Sequence, residues 1–108
     1  MIWSFSAQRL VRSVEVMFVI LIDYTASLDR IDAALPDHNA WLDEQYAARV
    51  FVASGPKTPR TGGVILTGDH PAEVIRAIVA RDPFATAGLA SHTVVEFQPI
   101  RRAPLSDL

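Results

Sequence analysis

The chain has 108 residues, half of them hydrophobic and a fifth charged, with a formal net charge of −2 and no cysteine. That balance fits one folded domain with a small core, and the missing basic surplus argues against a nucleic-acid partner. The absence of cysteine excludes disulfides, thiolate metal sites and a cysteine nucleophile, and it suits a reducing cytoplasm, the expected compartment.

Residues 1–15 are read as an N-terminal extension. Their apolar positions Trp3, Ala7, Leu10, Val11 and Val14 follow helical spacing, which leaves a short amphipathic helix or a frayed tail. The extension lacks the basic start and small-residue cleavage site of a secretory signal, so none is expected. The longest apolar run, Val16 to Ile22, falls far short of the roughly 20 residues that span a bilayer, so no membrane partner is expected either. The main domain is placed at 16–102, with a polar tail at 103–108.

"EVMFVILIDY", Glu15 to Tyr24, is rich in β-branched and aromatic residues and predicts a strand. Ser27 offers an N-cap to a short helix, "LDRIDAAL", which Pro36 is expected to interrupt. The helix is expected to restart at Asp37, acting as a new cap, and to run to about Arg49. "VFVASGP" (Val50 to Pro56) and "GVILTG" (Gly63 to Gly68) predict two further strands joined by the loop "KTPRTGG". "HPAEVIRAIVARD" predicts a second helix with Val74, Ile75, Ile78 and Val79 on one face, closed by Asp82-Pro83. "FATAGL" adds one more turn, and "SHTVVEFQPI" (Ser91 to Ile100) is the last strand.

The order β-α-β-β-α-β predicts an α+β domain of ferredoxin-like form, with a four-stranded antiparallel sheet and both helices on one face. A half-exposed antiparallel strand should alternate apolar and polar residues. "VMFVILI", "VFVA" and "GVIL" do not, so the face away from the helices is expected to be covered too. A second copy of the chain is the simplest cover. The expected assembly is a homodimer whose sheets pack face to face, closing into a dimeric α/β barrel.

Among residues with chemistry, His38 is expected in the first turn of the restarted helix, beside Trp41 and Leu42. There the helix dipole would favour a neutral imidazole able to work as a base near pH 7. The plainer reading is a half-exposed histidine near a helix end. Asp82 before Pro83 is either turn chemistry or the acceptor that orients a histidine ring. Ser54-Gly55-Pro56 either ends a strand or presents a hydroxyl and open main chain to a ligand oxygen. His70 reads as a cap-region residue and His92 as a surface histidine at a strand end. No histidine pair has convincing metal-ligand spacing, and no phosphate loop or nucleophile elbow is present, so neither a metal nor a cofactor is expected.

"MFVILIDYT", "PDHNAWLDEQYAARVFVASGP", "RDPFATAGL" and "HTVVEFQPI", in that order and spacing, resemble the YciI-like (YCII-related) family over about Met17 to Arg101. The resemblance implies a small ferredoxin-like domain that dimerises as an α/β barrel, with an architecture similar to muconolactone isomerase. It implies that His38 and Asp82 form an active-site pair. Gly55 and Pro56 preceded by Ser54, Asp82-Pro83-Phe84, and Ala87-Gly88 match the family's other positions. Relatives include a dehydrochlorinase acting on a chlorinated hydroxyquinol, and most members have no assigned reaction. The N-terminal extension and the short loop "KTPRTGG" depart from the pattern.

The leading expectation is a cofactor-free enzyme of lyase, isomerase or dehydrochlorinase type acting on a small organic, aromatic-derived substrate. His38 moves a proton and Asp82 orients it. Ser54, Gly55 and Pro56 bind a substrate oxygen, and Trp41 and Phe84 form apolar walls. Arg60 either pairs with a substrate carboxylate or is a solvated loop arginine. The alternative is a non-catalytic dimeric module that binds a small molecule or serves as an accessory. A cofactor-independent monooxygenase on the same barrel is the third reading.

Overall fold

In the computed structural model, which describes residues 15–103, the most apolar run of the chain becomes the middle of a sheet. Strand β1 (Met17–Tyr24) is hydrogen-bonded on both sides, and the order is β2-β3-β1-β4. The other strands are β2 (Phe51–Pro56), β3 (Gly62–Thr67) and β4 (Ala90–Phe97), and all pairings are antiparallel. The α+β architecture and four-stranded antiparallel sheet match the expectation. The segments expected as N-terminal extension and C-terminal tail lie outside the described residues, apart from Glu15 and Ala103.

Hydrophobicity does not alternate along β1, but exposure does. Phe18, Ile20 and Ile22 are buried in one core cluster with Ile65 of β3 and with residues of the helices. Leu21 and Val19 point the other way. There Val19 pairs with Val95 and Leu66, and Leu21 with Val64. Val64, Val95 and Phe97 on that outer face are exposed. The chain therefore carries an apolar sheet face that its own helices do not cover.

Helix α1 (Leu28–Ala47) corrects the expected break at Pro36, because it runs through the proline without interruption. Ile31, His38, Trp41 and Gln45 are its buried residues and hold one helical phase on both sides of Pro36. Pro36 itself is exposed. The proline forfeits one backbone hydrogen bond, but that loss falls on the wet side while the continuous inner stripe keeps both halves seated. Ser27 caps the start as expected, its Oγ accepting from the Arg30 N–H at 3.3 Å. Asp37 is an exposed mid-helix residue and caps nothing.

Helix α2 (Ala72–Val79) buries Ile75, Ile78 and Val79, and the short α3 (Pro83–Thr86) follows at once. Two helices end in the same motif. After α3, Gly88 N–H donates to Ala85 O and Leu89 N–H to Phe84 O, with Gly88 at φ 68°. After α1, Arg49 N–H donates to Tyr46 O and Val50 N–H to Gln45 O, with Arg49 at φ 61°. A side chain in the left-handed region costs about 1–2 kcal/mol, part of which glycine returns as unfolded-state entropy. Arg49→Gly is therefore expected to raise stability by up to about 1 kcal/mol, read as a higher urea midpoint.

Candidate functional site

The joint between α2 and α3 carries the site's central group. Asp82 is the N-cap of α3: its Oδ1 accepts the Phe84 N–H at 3.0 Å. Its side chain is completely buried, which raises the cost of its charge. Two imidazoles meet that cost. His38 Nδ1 lies 2.7 Å from Oδ1 and His92 Nε2 lies 2.7 Å from Oδ2. Burial pushes the carboxyl pKa up, but the hydrogen bonds from His38, His92 and the Phe84 N–H outweigh it and hold it below its ordinary value. The group is thus an ionised carboxylate that can only accept, so His38 carries its proton on Nδ1 and His92 on Nε2.

His38 sits about three turns into α1, not in a first turn, so the expected dipole effect on its ring does not apply. What holds the ring is packing. It stacks on Phe84 with centroids 4.0 Å apart and planes 7° from parallel, and Trp41 leans on it at 5.5 Å. Among the described residues, no buried side-chain nitrogen or oxygen lacks a hydrogen-bond partner, and Nε2 of His38 has none. Nε2 is therefore accessible, and the ring lines a cavity of about 370 Å³. That volume lies within the usual range for small-ligand sites.

Ser54, Gly55, Pro56, Arg60 and Phe84 also line this cavity, so the structure brings together most of the residues expected there. Ser54 Oγ is 2.6 Å from Tyr46 OH. A Cβ at Gly55 would meet nothing within 4 Å, so packing within the chain does not demand glycine there. Trp41 is the exception. It stands behind His38 in the core, its Nε1–H donating to Ile78 O at 3.1 Å, and is not part of the cavity wall. Arg60 is an exposed loop residue, as one of its two expected readings had it, and its guanidinium donates to the exposed Asp32 at 2.5 Å and lies 6.0 Å from the Tyr24 ring centre. Lys57 ties the same loop to Asp23.

His92 is the residue that sequence reasoning missed. It is not a surface histidine, since its side chain is only 6% exposed and bound to Asp82. The signal was its phase in β4. His92 pairs with Ile22 and so shares the helix-covered face, one step out of phase with the exposed Val95. His70 lies elsewhere, its Nε2 3.3 Å from Arg49 O. Among the described residues no cluster of three or more histidine or carboxylate side chains is arranged to hold a metal ion, and no helix is long and apolar enough to cross a membrane.

A family model for the YCII-related domain matches residues 16–98. The chain belongs to the YCII-related family. Two solved structures resemble this YCII-related chain. One is the 5-chloro-2-hydroxyhydroquinone dehydrochlorinase of Burkholderia phenoliruptrix AC1100 in complex with 2,5-dihydroxybenzoquinone. It is 22% identical with a TM-score of 0.64, the match covering 73% of this chain and 90% of that one. The other is SnoaB, a cofactor-independent oxygenase from Streptomyces nogalater, 18% identical with a TM-score of 0.50, covering 83% and 97%. At these identities the likeness is one of fold. No curated protein matches the sequence.

Proposed function

We propose that this YCII-related protein is a cofactor-independent lyase or isomerase acting on a small oxygenated ring compound, with His38 as general acid–base and Asp82 as its orienting partner. One observation carries the reading: the ring of His38 is bound through Nδ1 to a buried carboxylate at 2.7 Å while it lines the cavity. That arrangement presents a basic Nε2 to a ligand and holds a counter-charge for the imidazolium that proton uptake creates. His38 takes the proton of a ring hydroxyl or of a carbon next to a carbonyl, and the electron pair moves into the ring. The proton then returns to another atom of the ring, which is isomerisation, or is released as the electron pair expels a leaving anion, which is elimination. Ser54, backed by Tyr46, meets a ligand oxygen, and Phe84 supplies an apolar wall. The two solved neighbours support the reading as enzymes, one a dehydrochlorinase and one cofactor-independent.

The test is a panel of quinols, chlorinated hydroxyquinols and small lactones, followed by absorbance and oxygen uptake. His38→Gln is expected to lower kcat by roughly 10²–10⁴-fold with little change in KM. Oxygen uptake with a quinol would point to the oxygenase reading instead. Binding without turnover, and unaltered by His38→Gln, would leave the chain a binding module.

The assembly belongs to the same proposal. The outer sheet face with Leu21, Val64, Val95 and Phe97 is apolar, and a second copy of the chain supplies the matching sheet. Light scattering at micromolar concentration is expected to give a dimer mass, and Val95→Glu to halve it by placing a charge in the seam. A monomeric wild-type protein would overturn this. The absence of cysteine suits work in the cytoplasm.

A further inference from the structure

We infer that His92 is a positioning residue of this site: by holding the second oxygen of Asp82 it fixes the carboxylate that sets the tautomer of His38, without itself reaching the cavity. The inference rests on reading His38 as the proton carrier, but its test needs no substrate.

The carboxylate of Asp82 receives three hydrogen bonds from three parts of the chain. The Phe84 N–H of α3 and His38 Nδ1 of α1 both bind Oδ1, and His92 Nε2 of β4 binds Oδ2. With donors on Oδ1 alone, the group could turn about its Cβ–Cγ bond and offer either oxygen in either orientation. A bond on Oδ2 at the far side makes that rotation break contacts at both ends. The group is buried, so no water replaces what is broken. Oδ1 then stays on Nδ1 of His38, and the ring keeps its proton there and its lone pair on Nε2.

His92 is well placed for this role and for no direct part in the chemistry. It stands on β4 opposite Ile22, and it does not line the cavity. Its Nδ1 has no partner among the described residues, yet no buried side-chain nitrogen there is unsatisfied, so Nδ1 opens to solvent. The ring can thus satisfy its own second nitrogen with water while donating inward from Nε2. A phenylalanine of similar size would fill the space but leave Oδ2 unpaired.

The test is two-bond nitrogen–proton correlation spectroscopy of the three imidazoles at a pH where they are neutral. In the wild type, His38 is expected to carry its proton on Nδ1 and His92 on Nε2. In His92→Ala, the His38 signals are expected to shift toward the Nε2-protonated form. His92→Gln, whose amide N–H can reach the same carboxylate oxygen, is expected to restore them. A wild-type His92 protonated on Nδ1 would overturn the inference, as would an unmoved His38 tautomer in a folded His92→Ala variant. If the alanine variant does not fold, the wild-type and glutamine spectra decide. Where a substrate is in hand, His92→Ala is expected to lower kcat by roughly 10–100-fold with little change in KM, the usual scale for losing a supporting hydrogen bond. An unreactive substrate panel would count against the enzyme reading and leave the spectra free to support or reject the role of His92.

Discussion

Asp82→Asn is expected to lose about 2–3 kcal/mol of folding stability and to slow His38-dependent proton transfer, because a neutral amide no longer supplies the counter-charge of the imidazolium. The carboxylate accepts from His38 and Phe84 on one oxygen and from His92 on the other. An amide of the same shape has one oxygen and one NH₂. Whichever way it lies, the NH₂ meets a ring N–H at a buried site, donor against donor. One ring must then change tautomer or lose its bond. If His38 changes, its proton moves to Nε2 and the cavity faces a donor where a base stood. Urea unfolding reads the first effect, and the His38 ring-nitrogen spectrum the second. The pH dependence follows from the same group. The folded carboxyl holds its charge to lower pH than the unfolded one, whose ordinary value is 3.8. Its contribution to stability is complete above that value and is lost as pH falls below it toward the folded pKa. Wild type should therefore lose stability on the acid side more steeply than Asp82→Asn. Parallel acid limbs would show that Asp82 is not held ionised by its neighbours.

Gly62→Ala is expected to cost about 3 kcal/mol or to prevent folding, the upper end of what overpacking does. A Cβ built there would lie 1.7 Å from the Ile22 carbonyl oxygen, 2.8 Å from its carbon and 3.2 Å from Asp23 Cα. Those atoms are the main chain of β1, which is bonded to β3 on one side and β4 on the other and cannot retreat. The start of β3 must move instead, which breaks the Asp23–Gly62 pairing. The disturbance also reaches Arg60 and Gly63 on the cavity wall. Gly55→Ala is the matched control. It adds the same methyl in the neighbouring strand where nothing lies within 4 Å, so its urea midpoint should move little. Equal midpoints for the two variants would refute the account.

Local signals were legible where one element answers to its own residues. The apolar run Val16 to Ile22 marks the central strand, Ser27 marks the start of α1, and Pro71 with Ile75, Ile78 and Val79 marks α2. The βαββαβ order follows from those elements in series. His38 and Asp82 were each candidates from their local setting and were joined as a pair by the family resemblance, since no spacing rule connects positions 44 residues apart. Pro36 misled because a proline's local penalty is visible in sequence, whereas the stripe Ile31, His38, Trp41 and Gln45 that outweighs it acts through its fit to the sheet.

By itself, the sequence determined the types and order of the elements, since backbone propensity and apolar periodicity are properties of neighbouring residues. Only the tertiary structure decided what those elements bring together. It set Trp41 behind the site instead of in its wall, turned Arg60 onto Asp32, and chose the face of β4 that looks inward. That last choice put His92 on Asp82. The reason is physical: a strand such as "SHTVVEF" has two possible inner faces, and the register with β1 selects between them.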